Sequence, residues 1–295
     1  MSDMLIRRPI LIIGCNRSGT TLLFRNLSEH PATWSLYVEA KPLFHEHFPV
    51  DPERGDRVDR AATEAEKEVV RRELFDSAHN KEHWKDHPAL RFIPTKLIQR
   101  PLNRLYKRRP IRLVEKTPSN CFRVPLLVSL FPDAKFLFIV RRAEAVISSL
   151  MEGWKRWSGV EEGQTWTYGK WHYLVPPGWR AMRDWPLEDI CAFQWVSSNR
   201  TALSDLREHK GDDFLTLRHE DLTSRPMEEY RRVLDFCELE PSPYFQKIID
   251  NLESRVFTTG GSPPRDDKWK DLHGEEVERV RGEFQPLLEE LYEVS

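Results

Sequence analysis

The amino-acid sequence predicts a single α/β domain over residues 1–295, three-layered (α/β/α) with a mainly parallel central sheet. Three observations predict it. Short, nearly continuous apolar runs recur along the chain, as in strands buried on both faces of a parallel sheet. Helical patterns separate them, as crossover connections require. A polar, glycine-bearing loop stands between the first run and the first helix. With 295 residues, 39% of them hydrophobic and 31% charged, the chain has enough apolar material for a sizeable core.

Taken in order, Pro9 to Gly14 is the first strand. A helix follows over about Thr20 to His30, with Leu22, Leu23 and Leu27 on its inner face. After the turn at His30-Pro31 a strand is expected through Tyr37 and Val38. Ile111 to Glu115 and Lys135 to Val140 are further buried strands. Between them, Asn120 to Phe131 reads as a crossover helix that Pro125 would kink. Ala143 to Trp157 is helical, Leu187 to His209 is a long amphipathic helix, and Phe214 to Leu217 is another strand. Helices dominate from there to the C-terminus.

Two stretches break this pattern. Asp51 to Leu74 is charge-dense and reads as an exposed helix, a solvated face or a lid. Lys96 to Arg112 carries Lys96, Arg100, Arg104, Lys107, Arg108, Arg109 and Arg112 with no acid between them. It is either an arginine-rich surface turn or a patch that steers an anion. The span 51–110 is therefore expected to be a lid or insertion, and 154–185 an aromatic-rich insertion.

Composition excludes several classes. A formal net charge of −2 gives no global field for nucleic acid or an anionic membrane. No apolar run approaches a membrane span. Ile10 to Ile13 is too short for a signal peptide and leads straight into a loop. Cys15, Cys121, Cys191 and Cys237 are far apart, so no zinc site is expected. Cys191 and Cys237 fall in apolar helical patterns and read as core thiols. A reducing, cytoplasmic location fits that usage.

The strongest signal is the loop Gly14-Cys15-Asn16-Arg17-Ser18-Gly19-Thr20-Thr21. Between a buried strand and a helix, such a loop can wrap a phosphate with its amides and the positive end of the helix. Gly14 and Gly19 keep the Walker spacing, but Thr20 replaces the Walker lysine and the positive charge moves back to Arg17. A nucleotide triphosphatase needs that lysine, and a hydroxyl on Mg²⁺. Arg17, Ser18, Thr20 and Thr21 suit a phosphate and an adjoining sulfonyl group held without metal.

Arg17-Ser18-Gly19-Thr20-Thr21-Leu22-Leu23 resembles the 5′-phosphosulfate loop of sulfotransferases that use 3′-phosphoadenosine-5′-phosphosulfate (PAPS), nearer the bacterial, tyrosyl-protein and carbohydrate branches than the cytosolic small-molecule branch. A second element resembles the family's 3′-phosphate grip: the strand Phe136 to Val140 leads to Arg141, with Ser149 eight residues on. The arginine fork can hold a phosphate in two places. Relatives usually follow this arginine with Asp or Asn; here Arg142 follows. The resemblance spans Ile10 to about Trp269. It implies a P-loop-like sulfotransferase fold, PAPS as donor with 3′,5′-adenosine bisphosphate (PAP) as product, and no metal.

The same resemblance implies a catalytic glutamate shortly after the His30-Pro31 turn, namely Glu39, which otherwise reads as a surface carboxylate beside Lys41. His45 and His47 are the rival bases. Lys116, ending the strand at Ile111 to Glu115, is the candidate cation for the leaving oxygen, shared with Arg17. At Leu217-Arg218-His219-Glu220-Asp221, His219 stands where relatives carry an adenine-contacting tyrosine. After Gly260-Gly261, Lys268 and Arg265 are candidates to close over the 3′-phosphate, and Trp269 is either part of that loop or a packing residue. Trp154, Trp157, Trp166, Trp171, Trp179 and Trp185 lie in one stretch with Tyr168 and Tyr173. They either face a small-molecule, lipid or carbohydrate acceptor or cement an insertion to the body. Two other readings stand beside the sulfotransferase: a P-loop-like nucleotide kinase or hydrolase, and a non-catalytic nucleotide-binding protein derived from a sulfotransferase.

Overall fold

The computed structural model describes residues 5–36, 38–80, 110–157, 171–182, 184–251 and 267–293. Its centre is a sheet of four parallel strands in the order β2-β1-β3-β4. These are β1 (Ile10–Ile13), β2 (Val114–Lys116), β3 (Lys135–Val140) and β4 (Phe214–Arg218). Ile12 pairs with Lys116 on one side of β1, and Ile13 with Phe138 on the other. Beyond β2, Trp34 bridges Leu113 and Ser35 bridges His79, so extended backbone prolongs the sheet. The strand expected through Tyr37 and Val38 does not reach Val38, which is in a bend and 67% exposed; Tyr37 lies outside the described residues.

The helices are α1 (Thr20–Leu27), α2 (Lys41–His47), α3 (Glu64–Ser77), α4 (Val124–Leu130), α5 (Ala143–Trp157), α6 (Leu187–Lys210), α7 (His219–Ser224), α8 (Pro226–Cys237), α9 (Pro243–Asp250), α10 (Lys268–Arg279) and α11 (Arg281–Glu293). Alternate strand residues point to opposite faces. Ile10, Ile12, Leu137 and Ile139 pack with Leu23, Tyr230, Val233 and Phe245 of α1, α8 and α9. Leu11, Ile13, Phe136 and Phe138 pack with Leu127, Val146, Trp195 and Phe284 of α4, α5, α6 and α11. These are the three layers that the apolar runs predict.

Local differences have local causes. Asn120 to Phe131 divides into a 3₁₀ turn, Pro118–Phe122, and then α4. Pro125 lies in the first turn of α4, where a missing N–H costs nothing, so it kinks no helix. The charge-dense stretch folds into α3, capped by a Thr63–Glu66 capping box and anchored through buried Val70, Leu74 and Phe75. Most of the basic stretch, 96–109, lies outside the described residues. Arg112 donates to the carbonyls of Cys237 and Glu238. All four cysteines are buried and free. Among the described residues no helix is long and apolar enough to cross a membrane, and no cluster of His, Cys, Asp or Glu is arranged to hold a metal.

Candidate functional site

The polar loop leaves β1 at its carboxyl end, where open parallel sheets collect functional groups. Its glycines answer to sterics. A Cβ on Gly14 would stand 2.6 Å from the carbonyl oxygen of Ile139, so β3 leaves no room for one. Gly19 has φ 90° and its Cβ would enter the His219 ring. Arg17 takes φ 70°, a left-handed conformation that a non-glycine residue holds only when its surroundings impose it.

The loop ends in α1, whose first turn has no acidic residue and no side-chain cap at Gly19. That helix end keeps its positive potential. Ser18 is wholly buried, and its hydroxyl has no hydrogen-bond partner among the described residues. A buried orphan hydroxyl is costly unless a ligand completes it. Together, the orphan hydroxyl, the uncompensated helix end and the two crowded glycines fit an anionic phosphate group. Thr20 is buried and Thr21 exposed at the start of α1.

The second element read from the sequence meets the polar loop. Arg17 Nε donates to Ser149 Oγ at 2.8 Å, and Arg141 Nη1 reaches the Arg17 carbonyl at 3.4 Å. Arg141 leaves the end of β3 and Ser149 sits on α5, so residues distant in sequence converge at one end of the sheet. The Arg142 amide donates to Glu220 at 3.0 Å, and its guanidinium lies over the Tyr292 ring.

His219 opens α7 and is buried rather than open to solvent. Burial, reinforced by the charge of Arg141, pushes its pKa down to about 3, so the ring is neutral at ordinary pH. Its Nδ1 has no hydrogen-bond partner among the described residues. Lys268 opens α10, and Trp269 packs against the core. Arg265, Gly260 and Gly261 lie outside the described residues.

At the end of β2, Lys116 Nζ donates to Glu39 Oε1 at 2.6 Å. The lysine side chain is 7% exposed and the carboxylate 43%, so the pair faces outward from a buried cation. The sequence brings Lys41 to mind as Glu39's partner; in the structure Lys41 turns instead to Asp56, at 3.5 Å.

Asp56 is the residue that sequence reasoning missed. It is 1% exposed and accepts from Ser119 Oγ at 2.9 Å and the Val175 amide at 2.8 Å. His45 Nε2 lies 3.3 Å away and Arg123 Nη2 3.6 Å. Burial alone would raise its carboxyl pKa. His45, Lys41, Arg123 and the Val175 amide outweigh burial and hold it well below the usual carboxylate range. His47 faces Glu73 at 3.1 Å instead.

The aromatic stretch is partly core. Trp154 is wholly buried in α5, and the rings of Trp154, Trp171 and Trp179 stack edge to face in sequence, each pair at 5.2 Å. These three cement the segment to the body. Trp185 is 47% exposed, and Trp166 and Tyr168 lie outside the described residues. The segment's backbone also touches the polar loop: the Leu174 amide donates to Asn16 Oδ1 at 3.1 Å.

A model of the Sulfotransferase family matches residues 9–243. No curated protein sequence matches the chain. Among solved structures, the chain is similar to sulfotransferase STF9 from Mycobacterium avium at 17% identity and TM-score 0.54, over 97% of this chain and 77% of that one. It is similar to sulfotransferase STF1 from Mycobacterium tuberculosis H37Rv at 17% identity and TM-score 0.47, over 92% and 78%. Mouse sulfotransferase SULT7A1, crystallised in complex with PAP, matches at 12% identity and TM-score 0.47, over 99% and 92%. The first of these likenesses bears on the fold alone.

Proposed function

The chain belongs to the sulfotransferase family, and from that premise we propose that it moves the sulfuryl group of PAPS to a hydroxyl or similar group on a small-molecule, lipid or carbohydrate acceptor, releasing PAP. The observation that carries this reading is the convergence of Arg17, Ser149 and Arg141 beside the buried Ser18 hydroxyl at the strand ends. In this reading Gly14, Arg17, Ser18, Gly19, Thr20 and Thr21 hold the 5′ side of the donor. Arg141 and Ser149 hold its 3′-phosphate, with Lys268 and Arg265 as closing cations and His219 beside the loop.

The chemistry asks little of the protein. An acceptor oxygen forms a bond to sulfur as the bond from sulfur to the bridging phosphate oxygen breaks, and the electron pair leaves with PAP. Glu39 takes the acceptor proton. Lys116 and Arg17 stabilise charge on the leaving oxygen. An ammonium has three donors, so Lys116 can keep Glu39 oriented with one and meet the leaving oxygen with another.

One observation favours a second base. His45 lies 3.3 Å from a buried, ionised Asp56, the arrangement in which a carboxylate orients a histidine. Glu39 is preferred because it touches Lys116 directly.

Calorimetric titration tests the donor. PAP is expected to bind tightly in EDTA and ATP weakly. Preference for ATP with Mg²⁺ overturns the reading in favour of a nucleotide kinase or hydrolase. PAP binding with no transfer from labelled PAPS to any pool of phenolic, lipid or sugar acceptors points to a non-catalytic descendant.

A further inference from the structure

We propose that Thr117 and Glu115 are positioning residues that hold Glu39 against Lys116; this inference rests on the reading of Glu39 as the base. The motif Glu115-Lys116-Thr117 is continuous in sequence, yet its side chains divide between two tasks. Lys116 points to the site and meets Glu39. Glu115, on the opposite face of the strand, is 3% exposed and accepts from Thr117 Oγ1 at 2.6 Å and Asn120 Nδ2 at 2.5 Å. The Thr117 hydroxyl spends its one proton on Glu115, which leaves its lone pairs inward. The amide of Ala40, the residue after Glu39, donates to that oxygen at 3.0 Å.

The result is a closed circuit. From Lys116 the chain runs through Thr117, across a hydrogen bond to Ala40, back one peptide to Glu39, and across the ion pair to Lys116 again. Elsewhere in the described residues just before α2 the chain is loose: Val38 is exposed and in a bend, and the Glu39 side chain is nearly half exposed. An exposed carboxylate on irregular backbone samples many rotamers. Fixing the peptide on its C-terminal side removes much of that freedom.

Glu115 makes the circuit stiff. Burial pushes its carboxyl pKa up, while Thr117, Asn120, the Lys116 charge and the Ala40 amide pull the other way. A buried acceptor bonded at both oxygens polarises the hydroxyl that binds it, and such chains strengthen one another. Neither Glu115 nor Thr117 is exposed, and through the Ala40 amide both bear on the backbone beside Glu39.

The test compares steady-state transfer from labelled PAPS and PAP affinity for the parent, T117V, T117S, E39Q and the T117V/E39Q double variant. T117V keeps the shape of threonine and removes the hydroxyl. It is expected to lower kcat roughly tenfold or more, the scale of misplacing a catalytic group. PAP affinity stays within about twofold, which also shows the protein folded. T117S is expected to restore most of the rate. In the E39Q background T117V is expected to change nothing further, because the residue through which it acts is gone.

A loss equal in both backgrounds, or parental kcat in T117V, overturns the tether while leaving the base in place. Should E39Q itself turn over like the parent, the base falls and the tether falls with it. If T117V does not bind PAP, T117A takes its place with the same expectations, and parental turnover there is equally fatal.

Discussion

The imidazole of His219 occupies the space in which a side chain on Gly19 would begin. Two elements far apart in sequence, the polar loop from Gly14 to Thr21 and the start of α7, are thereby fitted to each other through a missing side chain. Gly19→Ala meets two penalties: the ring, and the positive φ, which costs an L-residue about 1–2 kcal/mol. PAP affinity is expected to fall at least tenfold. G19A/H219A is expected to recover only part of it, since the ring goes and the backbone strain stays. Calorimetry on both variants checks this, and parental affinity in G19A would remove the loop from the donor site.

Acid should act through His219. Its unfolded pKa is near 6.5 and its folded one about 3, so the unfolded chain binds a proton that the folded chain refuses. The stability it contributes is complete above pH 6.5 and is lost as pH falls toward 3. By linkage the loss is about 2 kcal/mol at pH 5. Urea unfolding of the parent and of His219→Gln between pH 7 and pH 5 is expected to give a flatter dependence in the variant. Equal slopes would mean that the ring is protonated without cost.

Arg141→Ala is expected to raise the apparent KM for PAPS far more than that for the acceptor. Loss of one charge-assisted contact to phosphate is worth about 1.5–3 kcal/mol, or roughly 10- to 150-fold. Initial-rate kinetics varying each substrate in turn separates the two. An equal rise for both would detach Arg141 from the donor.

Glu39→Gln keeps the shape of the proposed base and removes its proton sink, so transfer is expected to slow by roughly 10²–10⁴ with PAP affinity unchanged. The loss should shrink for an acidic phenol, which needs less help to ionise. His45→Gln is the counter-experiment: a dead H45Q beside an active E39Q would hand the role to the histidine that Asp56 orients.

Asp56→Asn leaves Lys41, His45 and the wholly buried Arg123 without their shared carboxylate. Breaking a buried charge set from one side typically costs about 3–5 kcal/mol. The urea midpoint is expected to drop by a matching amount. A midpoint unchanged from the parent would mean that the three bases do not depend on the carboxylate.

Local pattern made much of this legible. The helix read over Ala143 to Trp157 has those bounds in the structure, and the strand read at Lys135 to Val140 is β3, because each is governed by its own periodicity. The loop from Gly14 to Thr21 was readable for the same reason. Long-range pairing was not. Trp34 and Ser35 became extended residues, and Val38 did not, because Leu113 and His79 lie where they can bridge the first two. Asp56 looked like one more charge in an acidic and basic run. Only the fold sets Ser119, Arg123 and Val175 around it. The tryptophans carried no sign of which were core, since an indole is equally suited to either place.

The segment Trp171 to Val175 is gripped by its main chain as well as by the packed rings of Trp171 and His172 and the buried Leu174. Gln194 holds the carbonyls of His172 and Leu174 at 3.0 and 2.9 Å, Asn16 holds the Leu174 amide, and Asp56 exchanges bonds with both the amide and carbonyl of Val175. Clamps of this kind are blind to the side chains they carry. The path of the segment beside the polar loop is fixed twice, on its backbone by Asn16, Asp56 and Gln194 and on its side chains by Trp154, Trp179 and the core around Leu174. A grafted wall from a different sequence would have to present the same amides and carbonyls in the same order and also refill the space that Trp171 and Leu174 occupy.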